Sequence, residues 1–436
     1  MPINALDVAY AVAAVGAAPW ILRKRRAGWR ERFGFVETML GPVPRASDAA
    51  GAPGPRPRIL LHAVSVGEAA AIRELVPILA RDADVIVSTT TDTGLQRARD
   101  LYGATCEVVR YPLDFSPSVR RFLDAVRPDA VGLVELELWP NFLGECGRRG
   151  IPVAVINGRL SERSFRGYRR FRRWVGPMFG RLAVAGVQDE AYAERFRAMG
   201  MAADRVRVTG SMKWDTARIA DGAPGAEELA REMGIDPGRP LVVGASTGPG
   251  EEALLERAVR QAAEAGGPAA QLLCAPRKPE RFDEAAAALP GCVRRSRRTE
   301  RAEPGDVART GGRFLLDTIG ELSKAYALAD VVVIGRTFGA QGGSDPIEPV
   351  GLGKPVIVGP DTANFAVIAR DLESAGGIVR TDAAGLAGEI RRLLGDPGAC
   401  RAMAERGRAL IRERQGASAR HAALLLGMVR SGGAGA

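Results

Sequence analysis

The sequence predicts an α/β fold in two domains, each organised around a parallel sheet. Its 436 residues are too many for one ordinary domain of about 150 residues. Short apolar runs alternate with helical patterns over nearly the whole length, as in βαβ units. The alternation breaks between Thr216 and Pro237, where Gly, Pro and Ala cluster around Asp221–Gly225, and then starts again. The expected organisation is an N-terminal segment 1–27, a first domain 28–215, a second domain 226–395, and a C-terminal helix and tail 396–436.

Taken in order, the first element is apolar from Ala5 to Leu22 except for Asp7, and runs into Arg23-Lys24-Arg25-Arg26. It is marginal for a bilayer span, which takes about 20 residues. A secretory signal carries its charge ahead of the apolar run, and here the charge follows. By the positive-inside rule the body then stays on the cytoplasmic side. A spanning anchor, an interfacial helix and a buried first helix all fit the pattern, and membrane association is the expectation. Strands are expected at Ile59–Ala63, Val85–Ser88, Ala130–Val134, Val153–Ile156 and Leu182–Val187. In the second half they are expected at Leu241–Ala245, Leu272–Ala275, Val331–Ile334 and Pro355–Val358. Arg294–Gly312 is charged and contains glycine, so it reads as an exposed loop, and Asp396–Val429 is helical in pattern, with the first domain as the surface it packs back on. Two facing sheets of this kind put a ligand cleft at the carboxyl ends of their strands, and chemistry is sought there.

Composition narrows the classes. With 46% hydrophobic and 26% charged residues, neither wholesale disorder nor a polytopic membrane protein fits. A formal charge of +10 favours polyanionic partners, whether nucleic acid, lipid headgroups or phosphorylated substrates, unless it only solvates the surface. Cys106, Cys146, Cys274, Cys292 and Cys400 are scattered and odd in number, without a C-x-x-C pair, so neither a disulfide framework nor a zinc site is suggested and a reducing compartment is implied. His62 and His421 are the two histidines, so a multi-histidine metal site is excluded and His62 is the candidate catalytic imidazole.

Polar motifs follow the strands. After the first comes His62-Ala-Val-Ser-Val-Gly-Glu68, where Gly67 permits a tight turn and Glu68 opens a helix, placed to take a proton from an acceptor hydroxyl. The competing role for Glu68 is to complement the helix dipole, which would also lower its pKa. Thr91, in Thr89–Gly94, is either part of an anion cradle or an ordinary helix cap. Glu135 and Glu137 alternate with leucines just past a strand, as paired carboxylates for hydroxyl binding or acid–base work, or as structural hydrogen-bonders. Asn157–Ser164 offers Asn157, Arg159, Ser161 and Arg163, and Arg169, Arg170, Arg172 and Arg173 extend the positive charge towards an anionic headgroup or merely into solvent.

In the second half, Ala245–Glu251 brings Ser246, Thr247 and Glu251 to a strand end in what resembles a phosphate-binding turn, without the G-x-x-x-x-G-K-[ST] pattern of an ATPase loop. Pro276-Arg277-Lys278 adds two cations suited to a nucleotide phosphate. Ile319, Gly320 and Glu321 form a further turn, and Gly343, Ser344, Asp345 and Glu348 a Gly-rich one, in which Glu348 can accept both ribose hydroxyls. Asn364 lies beyond the last strand, within reach of the same nucleotide.

In this order the motifs resemble the Kdo (3-deoxy-D-manno-octulosonic acid) transferase family of lipopolysaccharide assembly, over about Gly28 to Leu394. The resemblance includes Gly28–Phe35, His62–Glu68, Thr89–Gly94, Tyr111–Asp114, Glu135–Asn141, Asn157–Ser164, Thr209–Lys213, Asp317–Leu322, Glu348-Pro349 and Asn364-Phe365. It implies a GT-B fold of two facing Rossmann-like domains, the first binding a phosphorylated lipid A precursor (lipid IVA) and the second CMP-Kdo. It also implies an inverting, metal-independent transfer without cofactor, at the cytoplasmic face of the inner membrane, against anionic lipid and not nucleic acid. Glu68 takes the place of the family's proposed base. Ser65, Thr91, Glu135, Glu137, Asn157, Arg159, Ser161 and Arg163 fall on the acceptor side. Ser246, Thr247, Glu251, Pro276, Arg277, Lys278, Ile319, Gly320, Glu321, Gly343, Ser344, Asp345, Glu348 and Asn364 fall on the donor side.

Two positions depart from the family pattern: Lys278 stands where His is usual, and Ser344-Asp345 where His-Asn is usual. A negative charge near the CMP phosphate costs binding unless Lys278 or Arg336 pairs with it, and the Lys278–Asp345 pair is the expectation. The rival readings are a GT-B enzyme using a UDP-sugar, a nucleotide-sugar epimerase, and an inactive basic protein that binds anionic lipid or nucleic acid.

Overall fold

The computed structural model describes residues 4–16, 28–38, 56–297 and 311–432. The chain forms two compact units, one from residues up to Thr216 together with those from Arg414 onward, the other Ala217–Glu413. The C-terminal segment is thus divided: the helix Pro397–Arg414 lies almost wholly in the second unit, while Ala417–Gly432 joins the first.

Unit one holds seven parallel strands: β1 Arg58–His62, β2 Asp84–Thr89, β3 Glu107–Arg110, β4 Ala130–Val134, β5 Val153–Gly158, β6 Val184–Val187 and β7 Val206–Val208. Their order is β3-β2-β1-β4-β5-β6-β7. Both faces of the central strands are covered, which is why they read as unbroken apolar runs. Leu60, Ile86, Val131 and Val155 pack with Phe122, Phe142, Phe179 and Phe196 on one face. Ile59, Leu61, Val87 and Ile156 pack on the other with Ala422 and Leu425 of the C-terminal helix. That helix comes close because β4 and β6 carry Gly132 and Gly186 beneath it. A Cβ on Gly186 would stand 2.6 Å from the His421 ring. Asp215 caps the helix, accepting the backbone N–H groups of Gly416 (2.6 Å) and Ser418 (2.5 Å).

Unit two repeats the plan with β8 Leu241–Thr247, β9 Gln271–Pro276, β10 Val293–Arg294, β11 Arg313–Leu315, β12 Val331–Ile334, β13 Val356–Val358 and β14 Val379–Arg380, all parallel, in the order β10-β11-β9-β8-β12-β13-β14. In each sheet the order reverses beside the first strand, between β1 and β4 and between β8 and β12. Ligands of α/β proteins bind at the carboxyl ends of the strands at such a point.

The nine strands expected from sequence are all present, β6 beginning two residues later, at Val184. Five more, β3, β7, β10, β11 and β14, lie at or next to the sheet edges and are two to four residues long. The loop expected over Arg294–Gly312 begins instead as the end of β10 and a 3-10 turn, with Arg294 paired to Asp283 and Asp317 and Arg295 to Glu232 and Glu321. Residues 298–310 lie outside the described residues.

At the N-terminus, Ala5–Gly16 is a 12-residue helix held by its polar residues. Buried Asp7 accepts the Ser116 backbone N–H (2.8 Å) and the Asn141 amide (3.1 Å), while Tyr10 donates to Asp114 (3.2 Å). The one charge in the apolar run thus closes the otherwise uncapped start of the helix Ser116–Val126. No helix among the described residues is long and apolar enough to cross a membrane. Leu22 and the basic run Arg23–Arg26 lie outside the described residues.

Candidate active site

In unit one, β1 ends at His62 and the chain turns through Ser65 into the six-residue helix Val66–Ala71. Ser65 caps that helix and also donates its hydroxyl to one Glu68 carboxylate oxygen (2.8 Å), while the Val64 backbone N–H donates to the other (2.8 Å). This is a variant of the capping box, with the acid reaching the N–H one residue before the cap, so Glu68 does serve the helix end. It is nonetheless half-buried, and burial, aided by the charge of Glu135, outweighs those hydrogen bonds and raises its pKa. The lowering expected from the helix N-terminus does not occur.

β4, the neighbour of β1 across the order reversal, delivers the partners. Glu135 adopts a left-handed backbone (φ 61°) as its N–H bonds to the Ile156 carbonyl (2.9 Å). The chain kinks there, and Glu135 and Glu137 both come within electrostatic reach of Glu68. Burial first, and then the Glu68 charge, push Glu137 up to about 7. Among the described residues none of these three acids forms an ion pair. They do not make a metal-binding set either.

The Thr91 hydroxyl accepts the Gly94 N–H (3.0 Å) and donates to the Val64 carbonyl (3.2 Å), stitching its loop to that of Glu68. Ser161 caps the helix Glu162–Arg170, whose Tyr168 feels the Glu137 charge, so this arm lies beside the acidic site with Arg159 and Arg163 exposed. Asn157 departs from expectation. It is fully buried and left-handed (φ 52°), its side-chain oxygen accepting the Met212 N–H (3.1 Å) and its own N–H bonding His421 (3.1 Å). It joins β5 to the C-terminal helix and presents no surface to an acceptor. His62 is likewise no catalytic imidazole. It is fully buried against the Tyr111 ring (3.6 Å between centroids), and burial lowers its pKa to about 3, so it stays neutral.

In unit two the strand ends carry two kinds of side chain. Arg277, Lys278, Glu348, Asn364 and Ile319 are exposed, the last on a turn made by left-handed Gly320 (φ 90°). Thr247, Glu251 and Pro276 are buried, with Thr247 and Glu251 bonded inside the fold, and Ser246 is left-handed (φ 56°). Glu321 is tied to Arg295 (3.1 Å), Lys324 (3.0 Å) and the Thr318 hydroxyl (2.7 Å). Burial opposes its ionisation, but those partners prevail and hold it at about 2. Gly343 is left-handed (φ 77°), and the buried Ser344 hydroxyl has no hydrogen-bond partner. Asp345 accepts the Ile347 N–H (2.9 Å), and among the described residues no ion pair links it to Lys278. Sequence reasoning passed over Glu252 and Arg281, a buried ion pair at 3.0 Å. The visible signal was the doubled acid Glu251-Glu252 at a helix start.

Two doubly wound parallel sheets joined in this way define the GT-B class of α/β proteins. A glycosyltransferase from Rickettsia africae shares the fold with a TM-score of 0.57 at 10% identity, over 86% of this chain and 99% of that one. The UDP-GlcNAc 2-epimerase of Neisseria meningitidis shares it at 0.52 and 14% identity, over 82% and 99%. Sequence is more specific. The family model for 3-deoxy-D-manno-octulosonic-acid transferase (kdotransferase) matches residues 27–216. The 3-deoxy-D-manno-octulosonic acid transferase of Bordetella pertussis is 36% identical over 94% of this chain and 96% of its own, and that of Haemophilus influenzae 30% identical over 81% and 79%. The chain belongs to the Kdo transferase family.

Proposed function

We propose that this protein transfers Kdo from CMP-Kdo to a hydroxyl of a phosphorylated lipid A precursor, with inversion, and that Glu68 is the base. The observation that carries the assignment of the base is the half-buried, cation-free Glu68 with its raised pKa, beside Glu135 and Glu137. The acceptor oxygen bonds to the anomeric carbon of Kdo as that carbon's bond to the CMP phosphate oxygen breaks. The phosphate keeps the electron pair, and Glu68 takes the hydroxyl proton. Exposed Arg277 and Lys278 meet the charge that grows on the phosphate, and Glu348 and Asn364 hold the nucleoside. Ser65 and Thr91 order the loop that presents Glu68.

The same reading places the enzyme on the cytoplasmic face of the inner membrane. The helices Glu162–Arg170 and Arg172–Gly180 expose Phe171 (58%) and Trp174 (80%) among Arg163, Arg166, Arg169, Arg170, Arg172 and Arg173. Aromatic rings among arginines suit an anionic lipid interface. The UDP-sugar and epimerase readings rest on fold alone, which does not decide function. The test is transfer from freshly generated CMP-Kdo to tetra-acylated lipid A precursor, without added metal, read by mass spectrometry. A product heavier by one or more Kdo units is expected. An unchanged acceptor, with no protection of the fold by CMP, would overturn the reading.

A further inference from the structure

From the buried acids of unit two we infer that Glu251 and Glu252 are positioning residues that build the donor site before the donor arrives. They stand side by side at the start of the helix Glu251–Glu264, directly after the loop that leaves β8, the central strand of the sheet. Each reaches to a different neighbour of β8. Glu251 accepts three backbone N–H groups: Gly248 of its own loop (2.7 Å), and Arg336 (2.6 Å) and Phe338 (3.1 Å) of the loop after β12. Glu252 takes the Thr247 hydroxyl (2.6 Å) and both terminal nitrogens of Arg281 (3.0 Å each), which follows β9. Arg281 also donates to the Thr247 carbonyl (3.0 Å), and so does the backbone N–H of Arg277 (3.1 Å).

Three strand-end loops are thereby locked into one surface. The lock holds Ser246 and Arg336 in left-handed conformations (φ 56° and 63°) that cost free energy without such support. Gly335 permits the contact, since a Cβ there would lie 2.5 Å from the Thr247 Cα. There is a chemical consequence. Glu251 occupies the Gly248 N–H of this loop and the Arg336 and Phe338 N–H groups of the loop after β12, so those three donors are withheld from the donor phosphate, which the side chains of Arg277 and Lys278 are left to meet. The carboxylates act through the loops and touch no reacting atom.

This inference rests on the donor reading of unit two, and the test separates the two. CMP affinity is measured by calorimetry at 25 °C for wild type, Glu251→Gln, Glu252→Gln and Thr247→Val, with KM for CMP-Kdo and kcat measured alongside. An amide at position 251 turns a donor towards N–H groups, so a loss of CMP affinity of about tenfold or more is expected, with KM rising more than kcat falls. Glu251→Asp, which keeps the charge, should recover part of it. A lowered unfolding temperature with CMP affinity intact would make both acids merely structural and overturn the inference. Hydrogen exchange at Gly248, Arg336 and Phe338 of ligand-free wild type decides the matter should a variant fail to fold. Slow exchange is expected, and fast exchange without nucleotide overturns a preformed site. The exchange arm needs no donor, so it stands even where wild type fails to bind CMP, an outcome that would count against the donor reading alone.

Discussion

The two units treat their acids in opposite ways. At the strand ends of unit one, Glu68, Glu135 and Glu137 come within electrostatic reach of one another with no paired cation among the described residues, and burial lifts Glu68 and carries Glu137 to about 7. At the strand ends of unit two, Glu251, Glu252 and Glu321 are buried or half-buried as well, yet every one is met by N–H groups or cations, and Glu321 sits at about 2. Burial alone therefore does not mark a reactive acid. Burial that outweighs the carboxylate's own hydrogen bonds, with a like charge nearby and no cation among the described residues to offset it, does, because it raises the pKa.

Removing the base is the largest way to break this contrast. Glu68→Gln keeps most of the capping geometry but cannot accept a proton, so kcat should fall by about 10²- to 10⁴-fold while CMP still protects the fold in a thermal-shift assay. Turnover near wild type would place Glu68 with the scaffold acids of unit two.

Glu137 gives the next effect, and its sign follows from linkage. Its pKa rises from the ordinary 4.5 to about 7 on folding, so between those values the native state binds more protons than the unfolded chain. The stability it contributes is present at low pH and is lost as pH rises through about 7. Glu137→Gln should therefore melt higher than wild type at pH 8, with the gap closing towards pH 5. A gap that does not change with pH would mean Glu137 is compensated after all.

Unit one contains its own scaffold acid, which sharpens the comparison. Asp215 caps the C-terminal helix. Asp215→Ala should cost about 1 kcal/mol in urea unfolding and leave transfer unchanged at 25 °C. A loss of turnover without loss of stability would break the division between paired and unpaired acids.

How far the sequence could be read follows the same physics. Central strands such as β1 and β8 announce themselves because both faces are buried. Edge strands are two to four residues long and bordered by charge, as in Val293-Arg294 and Val379-Arg380, so no apolar run marks them. Glu68, Glu135 and Glu137 were legible because each lies in the short segment that leaves the carboxyl end of a strand. Asn157 lies near the end of β5, but its partners Met212 and His421 are 55 and 264 residues away, and nothing local shows that they bury it. Glu252 and Arg281 were missed for that reason: a pairing 29 residues apart leaves no periodic trace.

The smallest expected effect is a null one, at the two positions that depart from the family pattern. Had Lys278 been recruited to offset Asp345, truncating Lys278 would hurt CMP binding more with Asp345 present than with Asn there. Among the described residues no ion pair links Lys278 to Asp345, and Asp345 turns an oxygen to the Ile347 N–H, as a helix-start acid does. Lys278 is exposed and faces solvent screening, so its contribution should be that of a lone charge towards phosphate. Lys278→Ala should then weaken CMP binding by the same factor in wild type and in Asp345→Asn, the two effects adding to within about 0.5 kcal/mol. A coupling well above that would mean the donor draws the two side chains together, and the neutralisation would belong to the bound state.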